Sequence, residues 1–252
     1  QFVGHPLADI ICTKRKREDI CRDYNYQVNQ PIIGLLPGSR HSEIERMLPV
    51  MLQATVGINK GIPEAQFFIL AAPGLEVPSV SETDTLPGFP KDGQAKNQSS
   101  FPLIEAVCRR EGLSGIKIIS KTDYDLMACA DFLIIASGTA TLEAAMLGVP
   151  FLIVYLTDRL TYFLARRLVK IPYIGLVNVI AKRFVVPEFI QDKAQPKALA
   201  ESSLSFLRDP DYAGSIRKEL QNVCQPLCRK GVSQRAAKEV LKFLVKEKAV
   251  KQ

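Results

Sequence analysis

The chain has 252 residues, 47% of them hydrophobic and 23% charged, a balance that excludes a wholly disordered polypeptide. Its six cysteines form no CxxC pair and no Cys/His cluster, which argues against a disulfide scaffold or a zinc site and suits a reducing compartment. The net charge of +7 is uneven: Lys14–Arg22 carries +3, Asp158–Arg183 +5 and the stretch from Arg229 onward +6, on an otherwise acidic body. Such zones suit a surface that meets anions, although the last of them reads as a solvated Lys-rich tail.

In chain order, the sequence starts at Gln1 without Met and runs straight into FVGHPLADI, as the continuation of a longer chain would. IIGLL (Ile32–Leu36) predicts a buried strand that ends in a Pro-Gly turn. A helix is expected over about 42–60, with Ile44, Met47, Leu48, Met51, Leu52 and Val56 on one stripe and Pro49 as a potential kink. FFILAA (67–72) predicts the next strand, and the Pro-, Gly- and Ser-rich stretch 73–102 a long exposed loop. Then follow a helix over 104–111, a strand over 116–120, a short helix over 124–130 and the strand FLIIA (132–136). SGTATLEAAMLG opens a helix, PFLIVYL (150–156) is a strand, 158–170 a helix and 173–180 a last extended piece. Helices are expected over 196–208, 211–228 and 233–246. Continuous Ile, Leu, Val and Phe runs separated by helices predict an α/β fold, a doubly wound parallel sheet covered on both faces. The longest uncharged stretch, Ala144–Thr157, has 14 residues, short of the ~20 that a membrane-spanning helix needs.

In such a sheet, ligands bind beyond the carboxyl ends of the strands, and two strand-to-helix loops there are unusual. In LLPGSRHSEIE (Leu35–Glu45), Gly38 allows close backbone approach, Ser39 lies at a helix entry, and Arg40 can fork two hydrogen bonds onto a phosphate. Ser42 and Glu45 also fit a capping box, so turn and cap chemistry explains part of this motif by itself. In ASGTATLEAAMLGVP (Ala136–Pro150), Ser137, Gly138 and Thr139 form a small-residue helix start suited to a pyrophosphate. Glu143, one turn further on, sits among apolar neighbours, where a carboxylate is costly without partners. It could accept hydrogen bonds from two ribose hydroxyls; the competing expectation is a solvated Glu on the outer face.

The run from FVGHPLAD through LLPGSRHSEI, ASGTATLEAAMLGVP, FLARRLVK and IGLVNVIAKRFVVPEFIQ closely resembles the lipid-A-disaccharide synthase family, in order and at similar spacing from Phe2 to about Gln191. The resemblance implies the carboxy-terminal, Rossmann-like half of a GT-B-fold glycosyltransferase. It divides the chain into a hinge segment (1–30), a nucleotide-sugar-binding domain (31–195) and carboxy-terminal helices (196–252). It implies transfer of 2,3-diacylglucosamine from UDP to 2,3-diacylglucosamine 1-phosphate, giving the β-1,6-linked disaccharide phosphate and UDP. No metal or other cofactor is implied, so Arg40 and backbone N–H groups near Gly38 and Ser137–Thr139 would stabilise the departing UDP. Glu143 would hold the ribose, and Asn178 and Arg183 would line the donor or acceptor side of the cleft; for Asn178 a turn-forming role at a strand end is the alternative.

The resemblance further implies an amino-terminal GT-B domain carrying the general base. No Asp here matches that base, and Asp9 and His5 belong to the hinge segment, so this half is expected to bind UDP and not to turn over alone. A cytoplasmic location, peripheral at the inner membrane of a Gram-negative bacterium, is implied too. Arg159, Phe163, Arg166 and Lys170 fall on one helical stripe and could meet the anionic membrane surface; Phe163 tucked inward beneath a solvated basic face is the competing expectation. A homo-oligomer is compatible with the sequence, and nothing in it matches a nucleic-acid-binding motif. Rival readings are another UDP-sugar enzyme of GT-B form, such as an N-acetylglucosaminyltransferase or 2-epimerase, and a non-catalytic UDP-binding or membrane-docking module.

Overall fold

The computed structural model describes residues 2–72, 101–113, 116–119, 123–158 and 172–250, together with Tyr162 and Arg167. The membrane-surface candidates Arg159, Phe163, Arg166 and Lys170 lie outside the described residues, as does all but the last two residues of the expected 73–102 loop.

Short helices α1 (Leu7–Ile10) and α2 (Arg17–Asp23) precede β1 (Ile32–Leu36), α3 (His41–Gly61) and β2 (Gln66–Leu70). After the undescribed stretch come α4 (Phe101–Arg110), β3 (Lys117–Ile119), α5 (Tyr124–Cys129), β4 (Phe132–Ala136), α6 (Ala140–Leu147) and β5 (Phe151–Tyr155). The chain then forms α7 (Leu176–Ala181), β6 (Glu188–Ile190) and a 3₁₀ turn over Gln191–Lys193. It ends in α8 (Pro196–Arg208), α9 (Pro210–Cys224) and α10 (Val232–Val250). The six strands form one sheet in the order β3-β2-β1-β4-β5-β6, every pair parallel.

Every residue of β1 and β4 is buried, because helices cover both faces of the sheet and leave no side for polar alternation. Ile32, Leu36, Leu133 and Ile135 join one apolar layer with α2, α5, α6 and α9. Ile33, Leu35, Phe132 and Ile134 join the other, against α3, α4 and α8. In α3 the side chains of Ile44, Met47, Leu48, Met51, Leu52 and Ile58 are buried at helical spacing, whereas Val56 is 41% exposed. The helix continues past Pro49, whose missing N–H removes one ladder bond.

The expected extended piece over 173–180 is a correction. Gly175 precedes α7, and the last strand is instead β6, paired to β5 with Val154 opposite Phe189. A mostly apolar run such as Leu176–Ile180, interrupted only by Asn178, carries no periodicity that separates strand from buried helix. The ends of the chain are tied together. Asp9 accepts backbone N–H bonds from Gly231 at 2.6 Å and Val232 at 3.0 Å, capping α10, and these bonds hold its carboxyl below the ordinary value. His5 Nδ1 accepts from the Leu7 N–H. The cysteines are free, with Cys21, Cys108, Cys129 and Cys224 buried. Among the described residues, no helix is long and apolar enough to cross a membrane, and no group of three or more His, Cys, Asp or Glu could hold a metal ion.

Gly34 sits at the middle of β1 between two neighbours that fill the space a side chain would need. A Cβ there would lie 2.4 Å from Phe68 Cζ and 2.5 Å from Leu133 Cδ2, and both residues are fully buried. Gly34→Ala is therefore expected to lower stability by about 1–3 kcal/mol, measured as a reduced urea midpoint with an unchanged slope.

Candidate functional site

The strand order reverses direction between β1 and β4, so the loops that follow them leave the sheet on opposite faces and open a crevice. Leu36 lies beside Ile135 in the register, which brings the two loops to the same edge. A cavity of about 300 Å³ occupies this crevice. Gly38, Ser39, Arg40 and Glu43 line one wall, and Ser137, Gly138, Thr139 and Glu143 line the other.

On the first wall, Gly38 has φ +104°, a backbone conformation that favours glycine. Arg40, not Ser42, is the residue before the helix, and the cap is made by Glu43 rather than Glu45. The Glu43 carboxylate accepts the N–H of Ser39 at 3.2 Å and of Arg40 at 3.3 Å, and the Arg40 guanidinium at 2.9 Å. Glu45 pairs instead with His41, one turn back on the same helix. Sequence inspection missed Glu43 because the motif fits a capping box two residues later equally well; only the position of the first helical residue decides between them.

On the second wall, Ser137 spends its N–H on the Val154 carbonyl of β5 at 3.1 Å and directs its hydroxyl to the Ile174 carbonyl. The N–H groups of Gly138, Thr139 and Ala140 donate to no acceptor among the described residues, as the first turn of a helix requires. They form the positive end of α6, against the cavity. Glu143 is half-buried and lines the same cavity rather than standing on the outer face of the helix. The Tyr124 hydroxyl donates to its Oε1 at 3.4 Å. Burial raises the Glu143 carboxyl above its ordinary value of 4.5, partly opposed by that hydrogen bond. Burial, and then the adjoining carboxylate, push the Tyr124 hydroxyl up to about 12.

Asn178 and Arg183 do not join this group. Asn178 is fully buried. Its Oδ1 accepts the N–H of Val185 and Val186, and its Nδ2 donates to the Val186 carbonyl and the Glu188 carboxylate. That amide splices α7 to β6. Arg183 forms an ion pair with Glu219 of α9. A second, larger hollow of about 500 Å³, lined by Arg17, Asp131, Phe206 and Arg217, lies at the amino ends of β1 and β4, away from these loops.

Two outcomes are expected. Asn178→Ala strands two backbone N–H groups and a carbonyl, and should cost about 2–4 kcal/mol of unfolding free energy without moving ligand affinity measured on the folded variant. For Glu143, a raised folded-state carboxyl means that folding takes up a proton. Its burial thus leaves stability intact below 4.5 and subtracts from it as pH rises through the raised value. Glu143→Gln should therefore melt at a higher temperature than the unsubstituted chain at pH 7, with the gap closing as pH falls toward 4.5 in a thermal-unfolding series.

Comparison with known proteins shows the family and the fold. The family model described as lipid-A-disaccharide synthetase matches residues 1–78 and 97–243. A lipid-A-disaccharide synthase from Syntrophus aciditrophicus (strain SB) is 35% identical over 245 residues, covering 97% of this chain and 58% of that relative. One from Sulfurihydrogenibium sp. (strain YO3AOP1) is 36% identical over 248 residues, covering 98% of this chain and 60% of that relative. The chain thus spans a little under two thirds of the length of these relatives. Among solved structures, WaaG, a glycosyltransferase involved in lipopolysaccharide biosynthesis, superposes with a TM-score of 0.56 at 14% identity, covering 93% of this chain and 53% of WaaG. Anabaena HepE in complex with UDP-glucose superposes with a TM-score of 0.55 at 15% identity, covering 93% of this chain and 55% of HepE. At these identities the likeness is one of fold, that of one Rossmann-like half of a GT-B glycosyltransferase.

Proposed function

Starting from the fact that the chain belongs to the lipid-A-disaccharide synthetase family, we propose that the crevice between β1 and β4 holds the UDP portion of a UDP-2,3-diacylglucosamine donor. The observation that carries this reading is the pairing, in one cavity, of an anion-binding helix start with a half-buried carboxylate. The diphosphate would lie against the N–H groups of Gly138, Thr139 and Ala140, with Arg40 reaching it from the opposite wall. The ribose hydroxyls would donate to Glu143, supplying the hydrogen bonds that its burial otherwise lacks.

The acceptor in this reading is 2,3-diacylglucosamine 1-phosphate. Its 6-hydroxyl oxygen attacks the anomeric carbon of the donor, the bond from that carbon to the diphosphate oxygen breaks, and UDP leaves with the electron pair. The hydroxyl proton passes to a base that we assign to no residue of this chain. The residues here bind and orient the donor and stabilise the charge that develops on the leaving diphosphate. Fixed N–H dipoles suit that task because they do not have to reorganise as the bond breaks. Ser137 serves by its backbone position, its own N–H being committed to β5.

Calorimetric titration with UDP, run in parallel on the unsubstituted chain and Glu143→Ala, tests the assignment. Saturable binding that the substitution weakens by about 1–3 kcal/mol is expected. Equal affinity in the two proteins would remove Glu143 from the site.

A further inference from the structure

The Arg40 guanidinium that the proposed function assigns to the diphosphate already holds an anion. Glu43 folds back from the first turn of α3 and accepts the Ser39 N–H, the Arg40 N–H and the Arg40 guanidinium, at 3.2, 3.3 and 2.9 Å. Its carboxylate lies where a side chain at position 38 would have to stand: a Cβ on Gly38 would come within 2.5 Å of Glu43 Oε2. The glycine is thus required twice over, by its φ of +104° and by the carboxylate seated above it. Only 22% of the Glu43 side chain is exposed, against 80% for Arg40, so the anion is the fixed member of the pair and the cation the movable one.

Resting on the UDP reading, we propose that Glu43 is a positioning residue that acts through Arg40: an internal anion that keeps Arg40 and the Gly38–Arg40 loop arranged in the ligand-free chain and gives up Arg40 when the diphosphate enters. A carboxylate and a phosphate are both multi-lone-pair acceptors for guanidinium and backbone N–H donors. Both also line or enter the same cavity, where two like charges repel. A diphosphate carries more negative charge than a single carboxylate, so its entry draws the Arg40 guanidinium away from Glu43. The reverse exchange assists release of UDP, since the carboxylate reclaims Arg40 as the nucleotide leaves. The net result is a preformed loop at the expense of some affinity for the charged part of the ligand.

Glu43→Gln tests this, because the amide keeps the size of the side chain and an acceptor oxygen for the Ser39 and Arg40 N–H groups while removing the charge and the acceptor that the Arg40 guanidinium uses. Titration with UDP and with uridine, monitored by calorimetry, separates the roles. Competition predicts UDP bound about two- to fivefold more tightly by Glu43→Gln, the most that an exposed ion pair is worth, and uridine bound unchanged. A purely structural cap predicts weaker binding of both. Should the Gln variant fail to fold by circular dichroism, Glu43→Asp, whose shorter arm weakens its hold on Arg40, carries the same prediction at smaller amplitude. UDP bound by the unsubstituted chain and no more tightly by the folded variant would overturn the inference alone. Folded proteins that both ignore UDP would overturn the site assignment and this inference with it.

Discussion

The hydrogen-bonded pairing of β1 with β4 positions everything else in the site. Ile33, Gly34, Leu35 and Leu36 register against Phe132, Leu133, Ile134 and Ile135, so two strands separated by about a hundred residues of sequence end side by side. Because β2 and β5 flank them on opposite sides, right-handed crossovers send α3 to one face of the sheet and α6 to the other. Two helix starts then face one crevice, and that of α6 brings free N–H groups to it. The burial of all five residues in each strand fixes that pairing, because a slip of one residue would exchange the two apolar faces.

At the opposite end of the same strands a polar staple holds the arrangement in register. Arg17 of α2 donates to the carbonyls of Val28, Cys129 and Gln30 and pairs with Asp131 at 2.9 Å. Asp131 in turn accepts the Ile32 N–H that opens β1. The amino-terminal segment is therefore built into the sheet rather than hung from it. Asp9 of α1, which caps α10, and the buried Leu7 and Ile20 extend the same anchoring.

The site itself carries charge that folding does not favour. Among the described residues, half-buried Glu143 has one long hydrogen bond, from Tyr124, and burial works against its ionised form. Glu43 places a second carboxylate on the facing wall, satisfied by the donors that an incoming anion would use. One carboxylate waits for hydrogen-bond donors and the other already has them. This difference in satisfaction, rather than in residue type, separates a group suited to meet ligand hydroxyls from one suited to stand in for a ligand phosphate.

The strand runs IIGLL, FLIIA and FLIVY, the helix stripe from Ile44 to Leu52 and the two Gly-containing loops were all legible in the amino-acid order. Continuous apolar runs and helical spacing are local properties, and a doubly wound sheet has few alternatives once they alternate. The placement of Gly38, Arg40, Ser137–Thr139 and Glu143 on one crevice followed from that fold class. Leu176–Ile180 is helical rather than extended because a mostly apolar segment suits either element, and only its packing against α6 and α9 decides. The family resemblance assigns Asn178 and Arg183 to the cleft, yet their partners, Val185, Val186, Glu188 and Glu219, come from a neighbouring turn, a strand and a distant helix. The sequence by itself determined the fold class and the two loops that matter. Only the tertiary structure decided which polar side chains are spent inside the protein and which remain open to a ligand, because a hydrogen bond is assigned by the approach of groups in space and not by their spacing along the chain.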